Sequence, residues 1–423
     1  MNSAWIERRK PRVEHASDGR TPYDVDYARI IHSSSFRRLQ GKTQIHQGDS
    51  DVPRTRLTHS IEVAQLALGI AQRIKATSPE TEIADLVSDP SLVQVVGLCH
   101  DLGHPCGGHA GEEALNACLP YEGNGQTLRI IGRLEGHTPG YGANLTRRTL
   151  LGTLKYPVCY SEALGGRVIP KPYKSLSGIP LIGPEHQPPK CYLNEEEDIV
   201  RWMLSPFGAD AEIIRRERLK SFDAGLMDLA DDFAYSAADL DDAIALGMMK
   251  REWIEEDVPA DVWEGLVEHH RHWIVDHDAT EPRSAKEIID RLMGGGQSRR
   301  RQTGAIINYL LGGIRIATDD RMADSLYRYR IDLEIKRKRL VQALKDCVYK
   351  RVIKASRVQL DRVRIQRMII DVYEAMAYQP TRYLPEKHRE LYLAAGKSPR
   401  IIADYIAGMT DRFLARTHET MFG

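Results

Sequence analysis

A histidine and an aspartate stand side by side, His100-Asp101, at the end of an almost wholly apolar run, SLVQVVGLCHDLG. His104 and His109 follow at once in HDLGHPCGGHAGEE, so four titratable groups fall within ten residues. Such groups are costly to bury unless they are paired or bound to a metal. Imidazole and carboxylate together suit a borderline ion such as Mn, Fe, Co or Zn, and admit Mg less comfortably. Neighbouring residues of a helix point about 100° apart, yet both reach one ion that sits off the helix end. The plainer alternative for a lone His-Asp pair is a buried histidine hydrogen-bonded to its neighbour. His59 in RTRLTHS supplies another imidazole at a helix start, with Arg56 three residues earlier on the same side of the turn. The commoner fate of such an arginine is a surface salt bridge.

A carboxylate from a distant stretch would complete a metal shell. Asp228, Asp231 and Asp232 crowd one segment, and Asp231, Tyr235 and Asp239 fall at i, i+4 and i+8, one stripe of a helix. The apolar face runs roughly opposite through Phe233 and Ala237, so spacing alone favours a solvated acidic face.

The elements that must position these groups read as helices. Ile61, Ala64, Leu68 and Ala71 recur at helical spacing around His59, and Leu226, Leu229, Phe233, Ala237, Leu240 and Ile244 mark one face near Asp231. The apolar run before His100 is too long for a strand and stops at Gly103 and Pro105, which makes it a buried helix with its polar end at a site. Val158 to Ile182 is rich in Gly and Pro and can hold a short hairpin inside a long loop reaching Pro189. Gly294-Gly295-Gly296 followed by Ser298 to Arg301 lacks the ending of a phosphate-binding loop and reads as a mobile linker.

The chain has 423 residues, 42% hydrophobic and 28% charged, an ordinary globular composition. Lys+Arg and Asp+Glu both total 59, so net charge gives no hint of a polyanionic partner. The charge is nonetheless segregated: Lys336 to Arg367 holds 12 Lys/Arg against 2 Asp, while the acidic balance lies mainly between Glu195 and Glu281. Six scattered cysteines without a CxxC pair read as reduced thiols of a cytoplasmic protein. No signal peptide and no membrane-spanning apolar run is expected.

Six ordered stretches carry a more specific signal: RIIHSSSFRRLQGKTQI, RTRLTHSIEVAQLA, HDLGHPCGGHAGEEALN, YEGNGQTLRI, LKYP and LMDLADDFAYSAADLDDAI. In this order they resemble the deoxynucleoside triphosphate triphosphohydrolases, the dGTPase-like branch of the HD superfamily, strongly over residues 20 to 250. One departure is Cys106-Gly107 where that family has Pro-Phe, in a loop beside the site. The resemblance implies hydrolysis of a dNTP to deoxynucleoside and intact triphosphate, with one divalent ion (Mn, Mg, Co or Fe) polarising the α-phosphate. It implies His59, His100, Asp101 and Asp231 as metal ligands. His109 becomes the catalytic histidine, which Glu112, three residues on, orients if the stretch is helical. His104 becomes a second phosphate donor or a cap before Pro105. Arg56 and Lys155 are implied as phosphate contacts, with Asn124 and Gln126 nearby. Gln44 and Asp239 would meet the sugar 3'-OH, and Tyr235 would pack on the sugar and disfavour ribonucleotides.

The expected fold is therefore all-α: an N-terminal arm and HD phosphohydrolase core over residues 1–290, and a helical C-terminal region over 291–423, with at most a small β-hairpin insertion. The basic stretch is a solvated face with a counter-charged neighbour, a subunit interface of a homo-oligomer, or a site for a dNTP effector or single-stranded nucleic acid. The competing functions are an HD phosphohydrolase for another nucleotide phosphate ester and a nucleotide- or nucleic-acid-sensing module with weak hydrolysis.

Overall fold

The computed structural model describes residues 2–12, 18–44, 54–175, 178–273 and 282–423. Helices dominate, and the strands form just two antiparallel pairs among the described residues. The pair Tyr173–Lys174 with Pro180–Leu181 falls in the Gly- and Pro-rich loop where a hairpin was expected. A second pair, Ile314–Thr318 with Tyr329–Leu333, was not expected.

The frame of the site is a crossing of two helices. Arg56–Thr77 starts at Thr55, whose side chain accepts from the Thr58 N–H while Thr58 caps in return. Pro90–Cys99 starts at Asp89, whose carboxylate accepts from the N–H groups of Ser91 and Leu92, with Pro90 in the first turn. The two helices pack so tightly that a side chain at Gly97 would place its Cβ 2.7 Å from Ala64 Cα. Val63, Leu66, Ala67, Ile70 and Ile74 form the buried stripe of the first helix. Ile61, expected on that stripe, is 50% exposed, because the buried face is rotated toward the His59 side.

The third helix, Phe222–Phe233, is capped by Ser221 and packs against the first two. At Ala234–Ala238 it widens into a π turn and then resumes as Asp239–Ala245. Such single wide turns recur at functional sites, because the extra residue changes which side chains share a face.

One apolar core runs from Trp5 to Val352, so residues on both sides of position 290 share it. A second, smaller core joins the His109–Cys118 helix to the Ser356–Tyr378 helix and the segments through Leu414. Gly294 to Arg301 is not a mobile linker. Ala285–Leu292 and Gly296–Leu311 are consecutive helices, and Arg299 donates to Asp241 at 2.9 Å.

The segregated charges meet one another. Lys345 pairs with Asp232 at 2.5 Å, Lys350 with Asp257 at 2.6 Å, Arg351 with Glu256 at 2.7 Å, and Arg339 with Asp261 at 2.6 Å. Much of the basic stretch therefore has a counter-charged neighbour, drawn from the acidic part of the sequence. No described helix is long and apolar enough to cross a membrane.

Candidate active site and metal centre

The two crossing helices and the third bring His59, His100 and Asp231 together. His59 Nε2 lies 3.2 Å from Asp231 Oδ1, and His100 Nε2 lies 3.8 Å from the same oxygen. The two imidazoles meet edge to face with centroids 5.2 Å apart. One ligand atom from each of the three residues lies within 4.8 Å of the others.

The donor set fits a divalent cation. His100 Nδ1 donates to the Gly97 carbonyl at 2.7 Å, which fixes the tautomer and turns the Nε2 lone pair toward the carboxylates. That Nε2 is fully buried and has no hydrogen-bond partner. Buried polar atoms are normally satisfied, and a lone pair facing anionic oxygens calls for a positive ion. Burial raises Asp231's carboxyl, but Lys155, His100 and His59 outweigh it and hold the group well below the usual range.

Asp101 stands beside this trio, its Oδ1 3.6 Å from His100 Nε2. The same oxygen is 3.0 Å from His104 Nδ1, and Oδ2 accepts from Arg56 Nη1 at 2.7 Å. Burial raises Asp101, and Arg56 with the two imidazoles reverses that, keeping it a carboxylate. Arg56 is itself buried and fixed by this pair rather than free on the surface. Gly108 makes room for it: at φ +54° it adopts a conformation open to glycine, and a Cβ there would sit 2.3 Å from Arg56 Nη2.

A second constellation, His104, His109 and Glu112, adjoins the first, again with ligand atoms within 4.8 Å of one another. His109 opens the helix His109–Cys118, so Glu112 does lie one turn on. The Glu112 carboxylate accepts from the Gly123 N–H at 2.7 Å, and Lys190 Nζ is 3.8 Å away. His109 presents an edge to solvent, yet the protein packed around it pushes the imidazole down to about 4, with Glu112 opposing and His104 and Arg56 adding to the shift. It is therefore neutral near pH 7. The His104 backbone carbonyl accepts from Lys42 at 2.6 Å.

Lys155 is buried, 2.9 Å from Asp228 and 3.4 Å from Asp231. Asp239 is fully buried, and neither of its oxygens has a hydrogen-bond partner. Burial pushes it up to about 6, with Arg54, 3.7 Å away, pulling the other way. The solvated acidic face is thus overturned at this position. Tyr235, half-buried in the π turn, lies under Lys345, whose Nζ is 5.7 Å from the ring centre. Gln44 has a buried carbonyl oxygen without a partner.

Two of the named residues are engaged elsewhere. Asn124 donates to Glu122 at 2.7 Å, and Gln126 donates to Asp404 at 2.9 Å beside the Arg129–Asp404 ion pair. Gln126 thus lies in a buried joint with the C-terminal region. Lys42 and Lys190 touch the site but escaped notice as contributors, since a lone Lys has no spacing pattern to betray it.

The HD domain matches residues 56–138, and the phosphohydrolase-associated domain matches residues 333–420. A deoxyguanosinetriphosphate triphosphohydrolase-like protein of Shewanella pealeana is 37% identical over 445 residues, covering 100% of this chain and 96% of its own. The protein of the same name from Shewanella loihica is 37% identical over 448 residues, covering 100% and 98%. The chain belongs to this dGTPase-like family of HD phosphohydrolases. Membership gives the two constellations a hydrolytic context: the HD match opens at Arg56 and takes in His59, His100, Asp101, His104, His109 and Glu112, while Asp231 comes from outside it.

Proposed function

We propose that the protein hydrolyses deoxynucleoside triphosphates to deoxynucleoside and inorganic triphosphate, with His59, His100, Asp101 and Asp231 holding one divalent ion. The observation that carries this reading is the convergence of His59, His100 and Asp231 on one small volume, with the His100 lone pair buried and unanswered. When bound, the ion supplies Lewis acidity to a phosphoryl oxygen.

The chain's own groups do the rest. His109, neutral near pH 7, sits at a helix start beside the cluster; it takes a proton from the water that attacks the α-phosphorus and returns it to the departing 5'-oxygen, and Glu112 stabilises the charged imidazole in between. Lys155, Arg56 and His104 surround the phosphates with positive charge and N–H donors. Arg56 also keeps Asp101 ionised. Gln44 and Asp239 offer buried acceptors to the sugar 3'-OH, and Tyr235 covers the sugar face. A buried acceptor left empty by a 3'-deoxy analogue rejects that analogue strongly.

The assay is release of tripolyphosphate from each dNTP and NTP, singly and mixed, with Mn, Mg or Co. Turnover of dNTPs with triphosphate as product is expected, and Asp231→Ala should abolish it. Inert dNTP mixtures together with turnover of another phosphate ester would sink the reading.

A further inference from the structure

A cavity of about 450 Å³ lies where the N-terminal arm, the helix Pro22–Ile31 and the turn around His137 meet. None of its lining residues belongs to either histidine constellation. Arg12, Arg20 and Arg29 line it together with His32 and His137, and Glu135 is the one carboxylate in the wall among the described residues. The guanidiniums exceed their partners. Asp18 is shared: Arg12 pairs with its Oδ2, while Arg20 holds both oxygens at 2.8 and 3.0 Å. Glu135 accepts from the Ser34 N–H at 3.2 Å and from the Ser35 hydroxyl. Arg29 pairs with no carboxylate among the described residues. Its Nη1 donates to the main-chain carbonyls of Ala143 and Asn144, and its Nε is buried without a partner.

The crowding of positive charge leaves its mark on the groups themselves. Burial pushes the Arg29 guanidinium down to about 10, and Arg8, Arg12 and Arg20 push the same way against Asp26. Burial also lowers the His137 imidazole, and Arg29 and Arg8 add to that shift. Cations that depress one another form a positive enclosure, which an anion relieves. The lining decides what kind of anion. Guanidinium forks match phosphate oxygens two at a time. Apolar surface is limited to Val25 and Ala28, with no Phe, Tyr or Trp in the lining on which a base could stack. Liquid water fills about 30 Å³ per molecule, so the volume takes roughly ten or more oxygen-sized groups, beyond what a single phosphate presents.

We propose that this cavity binds an inorganic oligophosphate, a di- or triphosphate anion, which ties Arg12 and Arg20 of the arm to Arg29 and His137 of the core. The helix Pro22–Ile31 packs on Pro90–Cys99, whose end carries His100, so the anion braces the frame of the catalytic site from outside.

Calorimetric titration of the full chain in excess Mg with tripolyphosphate, pyrophosphate and orthophosphate tests this, alongside the thermal midpoint. Tripolyphosphate should bind tightest of the three and raise the midpoint. Arg29→Met and Arg20→Met should each weaken it by about 10-fold or more, the scale of one charged hydrogen bond. Arg20 is exposed, so its variant probes the cavity even where Arg29→Met fails to fold. Lys155→Met, which removes a phosphate contact of the catalytic cluster instead, should keep a tripolyphosphate site of wild-type affinity. The assignment is overturned by the absence of tripolyphosphate binding, or by binding that is lost in Lys155→Met and kept in both arginine variants. It is overturned equally by a dNTP that binds through Arg20 and Arg29 more tightly than tripolyphosphate does.

Discussion

Lys155 Nζ stands 3.4 Å from Asp231 Oδ2, while His59 meets the other oxygen of the same carboxylate at 3.2 Å. Asp231 is thus shared between an ammonium group and the imidazoles that would join it around an ion. Lys155 keeps the carboxylate ionised, and it also competes for its charge.

Replacing Lys155 by Met should therefore separate metal binding from substrate binding. Lys155→Met is expected to bind Mn at least as tightly as the wild type, while its KM for a dNTP rises about 10-fold or more, since a charge-assisted phosphate contact is lost. Metal content by elemental analysis and steady-state kinetics check it. A fall in metal content would mean that Lys155 supports the ligand shell instead.

On the proposed reading, His109 transfers a proton and does not hold the ion. His109→Ala should retain its metal and lose about 10²- to 10⁴-fold in kcat, the usual contribution of a positioned acid or base. Loss of the ion in that variant would move His109 into the coordination sphere.

Gly97 is expected to tolerate no side chain. Gly97→Val forces atoms into Ala64 at the helix crossing and should destabilise the protein by about 1–3 kcal/mol. Because His59 and His100 ride on those two helices, metal affinity should fall with the thermal midpoint. A variant that is destabilised but keeps full metal affinity would show that the crossing does not set the cluster.

Glu196 makes stability depend on pH far from the site. It is fully buried, with one oxygen accepting from Arg129 at 2.8 Å and the other unpartnered. Burial raises its carboxyl from 4.5 to about 7, against the pull of Arg129. The folded protein therefore keeps a proton that the unfolded chain releases above pH 4.5. The stabilisation is full below 4.5 and is lost as pH climbs through 7, by up to about 3 kcal/mol. Glu196→Gln should flatten that slope in denaturant titrations between pH 4.5 and 7.5; an unchanged slope would remove Glu196 as its source.

The fold class and the neighbourhood of His59, His100 and Asp231 were legible because helical periodicity and ordered motifs are local signals. What stayed hidden depended on partners far along the chain. Ile316 and Ile331 sit in segments with strand-like alternation, but no tight turn joins them, so the second hairpin passed unseen. The spacing of Asp231, Tyr235 and Asp239 suggested a regular helix with a wet stripe, and nothing in AYSAA announced a π turn. Gln126 looked like part of a substrate motif, yet its amide answers Asp404, 278 residues away. The basic stretch could be named but not paired: only the fold brings Lys345 to Asp232.

That wide turn has a consequence for how the site can change. Ala234–Ala238 holds one residue more than a regular α-helical turn needs, between Asp231 on one straight segment and Asp239 on the next. Deleting a single residue there would heal the helix and leave a soundly folded rod. The helix after it would keep its faces and Asp239 its enclosed position, because the wide turn already absorbs the extra residue, while the residues within the turn, Tyr235 among them, would lose their placement. The irregularity sets where Tyr235 stands between Asp231 and Asp239, and a more regular sequence would lose that placement.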